Sequence, residues 1–331
     1  MNNSKIEISW KTIVFTIFFL LFLKFVWIMR DLFFSLFIAF ILMSSLKPYV
    51  VFLVRKGTPR LLAVSAVFAT FLILFFYLLF IVLPPLIYES ALLVRALPDI
   101  IESISPQVMT LLNLESLFQY IPNVANQFFE IIKGIFSNAL FLISTLFFGF
   151  YFLLEENIAR KLLHRFLTPA QSQQTLLILD RAEKRLNGWF WGEIALMTVV
   201  GVITFIGLNL IGIKYSLALA VVAGLLEAIP NFGPVFSAVP AALIGFSHSP
   251  LLGLTVIALY FIVQQVENNL LVPIVMSKAV GLNPIVTLIA LIIGGKIGGV
   301  LGLLLSIPVT VFIETILLEV VKPKKIAENL R

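Results

Sequence analysis

Apolar runs at residues 13–29, 32–46, 61–83, 136–154, 194–213, 217–246, 251–272 and 282–318 leave few folds open to this chain. A hydrocarbon core of about 30 Å needs about 20 apolar residues in a helix to cross it, and most of these runs reach that length, with 32–46 falling short. They are continuous and do not alternate, which selects helices over barrel strands. Hydrophobic residues make up 60% and charged residues 12%, against about 45–50% and about 25% in soluble domains. A soluble globular fold is excluded. The expected class is all-α, a polytopic helical membrane protein.

Charge sets the orientation. Lys47, Arg55, Lys56 and Arg60 form a basic connector without an acid, and Arg160, Lys161, His164, Arg165, Arg181, Lys184 and Arg185 form a second one. Both are assigned to the cytoplasmic side, with Lys322, Lys324, Lys325 and Arg331. The net charge of +6 thus reads as retention and not as nucleic-acid binding. Residues 86–135 are acid-rich and carry Pro98, Pro106 and Pro122, so short amphipathic helices on the outer surface are expected there. The resulting organisation is three spans in 1–85, an extracytoplasmic segment in 86–135, a fourth span and a cytoplasmic connector in 136–193, a membrane core in 194–321, and a basic tail in 322–331. Thr168-Pro169 opens the polar helix of the connector, and Trp189, Phe190 and Trp191 read as an interfacial belt. Lys5 and Lys11 before the first run resemble a signal peptide, but Arg30-Asp31 stands where small residues should follow. The run is taken as a retained span, with both termini inside.

Length then demands breaks. A straight helix over 216–247 would measure about 48 Å at ~1.5 Å per residue, well beyond the bilayer core. The string Gly224-Leu-Leu-Glu227-Ala-Ile-Pro230-Asn231-Phe-Gly233-Pro234, followed by Pro240, supplies the interruption. Residues 282–318 pose the same problem, with Gly294, Gly295, Gly298 and Gly299 around Lys296. Two interrupted helices in the C-terminal half point to a binding site, and they are either bent spans or re-entrant hairpins. Eight through-spans and six spans with two opposed hairpins both return the C-terminus inside. The charge of Lys278 favours the hairpins.

The candidate chemistry gathers at these breaks. A carboxylate at hydrocarbon depth is costly, so Glu227 is either part of an ion or solute pathway or paired to lock the bundle. With Asn231 and the helix ends left by Pro230, Gly233 and Pro234, it suits a small cation such as sodium or a polar solute. Gln264, Glu267 and Asn268 fall three and four apart on one helix face before Pro273, as a second polar site or an interfacial cap. Lys296 either snorkels or neutralises a buried acid. Its glycine frame lacks the spacing and the following Ser/Thr of a phosphate loop. Only His164 and His248 are present, cysteine is absent, and no catalytic or metal-binding constellation is expected. No cofactor is implied.

The strings GLLEAIPNFGPVFSAVPAALIGF, QQVENNLLVPIVMSKAVGLNPIVTLIALIIGG and GVLGLLLSIPVTV, in that order, resemble the autoinducer-2 exporter family, also called the PerM-type permeases. The likeness extends over nearly the whole chain. Glu227, Pro230, Gly233, Pro234, Glu267, Asn268 and Pro273 stand at the motif positions, whereas Glu193 occupies a place where members often carry glutamine. The resemblance implies a non-enzymatic secondary transporter of a bacterial-type inner membrane, forming a homo-oligomer with a pentamer as its candidate size. Members are associated with export of a small signalling molecule or with sodium (lithium)/proton antiport. A non-transporting membrane scaffold is the alternative from another class.

Overall fold

The structure, a computed structural model, describes residues 10–103, 138–155, 158–230, 232–276 and 281–321. Every regular element among them is a helix: α1 (Trp10–Ile28), α2 (Arg30–Arg55), α3 (Arg60–Ser103), α4 (Ala139–Leu154), α5 (Ile158–Phe166), α6 (Pro169–Ile211), α7 (Ser216–Leu226), α8 (Gly233–His248), α9 (Pro250–Val266), α10 (Val272–Met276) and α11 (Pro284–Val321). A π-helical turn, Glu267–Leu271, joins α9 to α10. Among the described residues, six stretches are long and apolar enough to cross a membrane: Trp10–Ile28, Arg30–Arg55, Arg60–Phe80, Pro169–Ile211, Pro250–Val275 and Pro284–Val321.

Two helices outrun any bilayer. The 44 residues of α3 and the 43 of α6 extend about 66 and 64 Å at ~1.5 Å per residue, so each projects about half its length beyond the hydrocarbon core. In α6 the projecting half is the polar one, and its start is fixed by a capping box. The Thr168 side chain accepts from the Gln171 N–H, the Gln171 side chain accepts from the Thr168 N–H, and Pro169 occupies the first turn. In α3 the helix runs through Pro84, Pro85 and Pro98 to Ser103. The expected short helices therefore do not begin at Pro84, and residues 104–137 lie outside the described ones. The basic connector is also shorter than expected. Lys47 and Arg55 belong to α2, because Pro48 is accommodated inside that helix and Lys47 is held by Glu183 of α6 at 2.5 Å.

Both long C-terminal segments reverse direction. Gly294 and Gly302, which a straight helix would hold about 12 Å apart, are in backbone contact: a Cβ on Gly302 would stand 1.9 Å from the Gly294 carbonyl oxygen. The reversal lies at Gly299, whose φ of 57° and ψ of −133° are open to glycine alone. After α7, residues 227–230 form a tight turn with Ala228 N–H to Leu225 O and Ile229 N–H to Leu226 O bonds. Gly233 then seats its Cα against the last carbonyl of α7, where a Cβ would fall 1.9 Å from Leu226 O. Leu219 and Ala223 of α7 join Ala241, Leu243 and Ile244 of α8 in one buried cluster, so the two helices lie back to back.

α6 is the axis of the fold. Its residues Leu186, Trp189 and Leu196 pack with Ile41 of α2 and with Leu305, Ile307 and Val311 of α11. Further along, Leu208 joins Val256 and Tyr260 of α9 in the cluster shared with α7 and α8. A separate cluster joins α2, α3 and α4 through Leu46, Val50, Val64, Phe68 and Leu153. One end of the bundle is tied by polar contacts. Arg185 of α6 reaches Glu314 at 2.7 Å and Thr315 at 2.9 Å, Arg181 pairs with Glu319, and Arg60 donates to the carbonyls of Leu153 and Leu154. At the opposite end of α2, Arg30 donates to Ile297 O at 3.3 Å, beside the Gly299 reversal.

Candidate transport site

Four parts of the chain meet around a cavity of about 380 Å³. α6 contributes Trp189 and Glu193, the α7–α8 turn contributes Glu227 and Pro230, and the π turn contributes Glu267 and Asn268. Pro273 of α10, the 281–284 segment and Thr287 and Ile307 of α11 complete the wall. The volume lies in the range of small-molecule sites.

Local structure explains each placement. On α6, Leu186, Trp189, Glu193, Leu196 and Val200 recur every three or four residues and are all buried, so Glu193 lies on the inward face. Glu227 is the first residue beyond α7 and is 3% exposed because Gly233 closes the turn over it. The π turn matters for α9. It carries both Glu267 and Asn268, and both line the cavity; such single π turns inside helices are frequent at functional sites.

The carboxyl groups of Glu227 and Glu267 stand close together at the cavity wall, and Glu193 lines the same cavity near enough to act electrostatically on Glu227. Gln264 Nε2 donates to Glu267 Oε2 at 3.1 Å, while Glu227 Oε2 has no hydrogen-bond partner. Two ionised carboxylates at such separation repel in a low-dielectric interior, and a proton or a small cation between them removes the repulsion. Among the described residues no group of three His, Cys, Asp or Glu has metal-holding geometry.

Of the residues expected from sequence, Glu227, Pro230, Glu267, Asn268 and Pro273 are brought together at the cavity, with Gln264 behind Glu267. Asn231 lies outside the described residues. Lys296 does not line the cavity. It is exposed on α11, three positions before the reversal, because the glycines turn that segment away from the acids. Gly294 and Gly295 face the returning arm, Gly298 faces Phe34, Pro234 lies in the first turn of α8, and Pro240 lies inside that helix. Trp189 is not part of an interfacial belt: it is buried and faces the acids, whereas Trp191 donates to Ser45 O at 3.2 Å near the surface. Glu193 and Trp189 are the site residues that sequence reasoning left out. The three-to-four spacing from Leu186 to Leu208 carries the signal that would have found them.

An all-helical chain with bilayer-length apolar helices and a buried acidic cavity defines a class, the polytopic helical membrane proteins. Residues 13–322 match the family described as AI-2E family transporter, and the chain belongs to that family. It is similar to YueF of Bacillus subtilis (strain 168), at 29% identity over 94% of this chain and 90% of the relative. It is also similar to the AI-2 transport protein TqsA of Escherichia coli (strain K12), at 28% identity over 85% and 82%. YhhT of the same strain shares 36% identity over 40% of this chain and 38% of its own. The chain is thus a multi-pass membrane protein of a bacterial transporter family.

Proposed function

We propose that this protein is a secondary transporter that exports a small polar solute through the Glu227–Glu267 cavity, coupled to protons or sodium. The observation that carries this reading is the pair of buried carboxyl groups facing a solute-sized space between a broken helix and a π turn. Buried acids in membrane helices are retained at a cost, and their usual return is an ion path. The name of TqsA makes autoinducer-2 the first solute to test.

The same reading assigns α1, α2, the first half of α3, α4, the second half of α6 and α9 as spans. The α7–α8 pair and α11 are then re-entrant hairpins entering from opposite faces. In support, α7 and α8 have 11 and 16 residues, about 16 and 24 Å, both short of the bilayer core. The end tied by Arg60, Arg181 and Arg185 is cytoplasmic on this reading, as are both termini. Association into a homo-oligomer belongs to it too, and α1, which buries no residue within the monomer, is available for it.

Proteoliposomes with internal labelled autoinducer-2 and an imposed proton or sodium gradient test the coupling. Gradient-driven flux is expected for the wild type and its loss for Glu227→Gln. Unchanged flux with unchanged pH dependence in that variant removes the coupling role. Sodium/proton antiport is favoured by the third acid, Glu193, and is read from dye-monitored proton movement on adding sodium. No response at any pH excludes it.

A further inference from the structure

Beyond the acids, towards the end of the bundle away from Arg185, two buried hydroxyl groups have no hydrogen-bond partner: Thr204 Oγ1 and Tyr260 Oη. Thr204 is 1% exposed and Tyr260 6%. Thr204 is the informative one. The default for a helical threonine is a bond to the carbonyl four residues back, and Thr145, Thr198, Thr255, Thr310 and Thr315 all make it. Thr204 does not, so its hydroxyl is available to something outside its own helix. Buried tyrosine hydroxyls ordinarily find a partner as well.

Their positions relate them to the acids. Thr204 is about three turns beyond Glu193 on the same face of α6, and Tyr260 is about two turns before Glu267 on the same face of α9. Since α6 runs away from Arg185 and α9 returns beside it, both hydroxyls are displaced from the acids in the same direction. α6 and α9 pack directly on each other here, and α7 flanks α6. Gly201, one turn before Thr204, stands against Ala220 and Gly224 of α7, and Tyr260 shares a cluster with Ala223, one turn before Glu227. The unpartnered Glu227 Oε2 is at the end of that line.

We propose that Thr204 and Tyr260 line a hydrated passage to Glu227 from the end of the bundle where α8 turns into α9 at Ser249, with a file of waters running from the two hydroxyls to the free carboxyl oxygen. A buried water needs two to four polar partners, and these groups are the ones left to supply them. The inference deepens the reading of Glu227 as the transport acid, but it has its own readout.

The chain contains no cysteine, so single cysteines can be placed in the full-length protein without further change. Thr204→Cys and Tyr260→Cys are expected to react with a small, charged, membrane-impermeant thiosulfonate added at the Ser249 face. Leu153→Cys, equally buried but in the separate α2–α3–α4 cluster, is expected to react at least tenfold more slowly. Equal rates at all three positions, or no reaction at 204 and 260 in protein that elutes as the wild type does, overturns the passage. Tyr260→Phe with Thr204→Val should slow dye-monitored proton movement severalfold, and wild-type rates in that double variant also overturn it. Labelling at 204 with normal flux in Glu227→Gln would sink the transport-acid reading and leave the passage standing.

Discussion

The crossing of Gly294 and Gly302 gives the strictest test of the fold. A Cβ at position 302 would stand 1.9 Å from Gly294 O and 2.7 Å from its carbonyl carbon. A carbon-to-oxygen contact needs about 3.3–3.6 Å, so the two arms of α11 must separate by about 1.5 Å. Both groups are backbone, and no rotamer change relieves the clash. Ser306 closes the same crossing from the returning arm, since a Cβ on Gly294 would stand 2.1 Å from its hydroxyl oxygen. Over-packing costs about 1–3 kcal/mol where neighbours yield, and rigid backbone places this site near 3. Replacing a helical glycine by alanine recovers about 1 kcal/mol. Gly302→Ala should therefore destabilise by about 2 kcal/mol. Gly295→Ala is the internal control: its Cβ would meet only the Leu303 side chain, at 3.2 Å, which can rotate away. There the propensity gain dominates, and the change should be neutral or stabilising by up to about 1 kcal/mol. Unfolding in a mild detergent titrated with sodium dodecyl sulfate, followed by tryptophan fluorescence, measures both. Trp189 is a suitable reporter because it packs in the cluster that holds Leu305 and Ile307 of the returning arm. Shifts of the same sign for the two variants would refute the reversal at Gly299.

Two further outcomes are expected at the polar end. Arg185→Ala removes half-buried contacts to Glu314 and Thr315 and should cost about 1–3 kcal/mol in the same titration, and a change below about 0.5 would show that the α6–α11 tie is incidental. Lys161 donates to Glu155 at 2.5 Å, and that hydrogen bond, with the nearby negative charge, raises its pKa above the ordinary 10.5. Any stabilisation from it is fully present below 10.5 and is lost as pH rises through the raised value, so neutral pH leaves it intact. Glu155→Gln should return the Lys161 titration, followed by NMR of its side-chain methylene next to the amine, towards the ordinary value.

Much of this architecture is legible in the linear chain because the bilayer reduces it to lengths and charges. Apolar runs of spanning length, the helix start at Thr168-Pro169 and the need for interruptions near Glu227 and Gly299 all follow from a fixed hydrocarbon thickness and from backbone rules that act over a few residues. The site is a different matter. Glu227 and Glu267 are visible singly as acids in apolar segments, but their approach depends on how α7 and α9 pack, over a separation of 40 positions. Trp189 shows why single residues mislead. At a membrane boundary the amphipathic indole suits an interface equally well, and only the packing of α6 against α2 and α11 turns it inward. Lys296 errs the other way, since a cation among glycines looks central until the chain reverses and leaves it exposed.

What the sequence by itself determined is therefore the class: a helical membrane protein with a basic end and interrupted C-terminal segments, with through-spans and re-entrant hairpins both left open. What only the tertiary structure decided is the company those residues keep. The meeting of Glu227 and Glu267 at one cavity and the inward face of Glu193 arise from contacts between helices distant in sequence. In a bilayer such contacts are selected by van der Waals fit and polar pairing, which no local periodicity encodes.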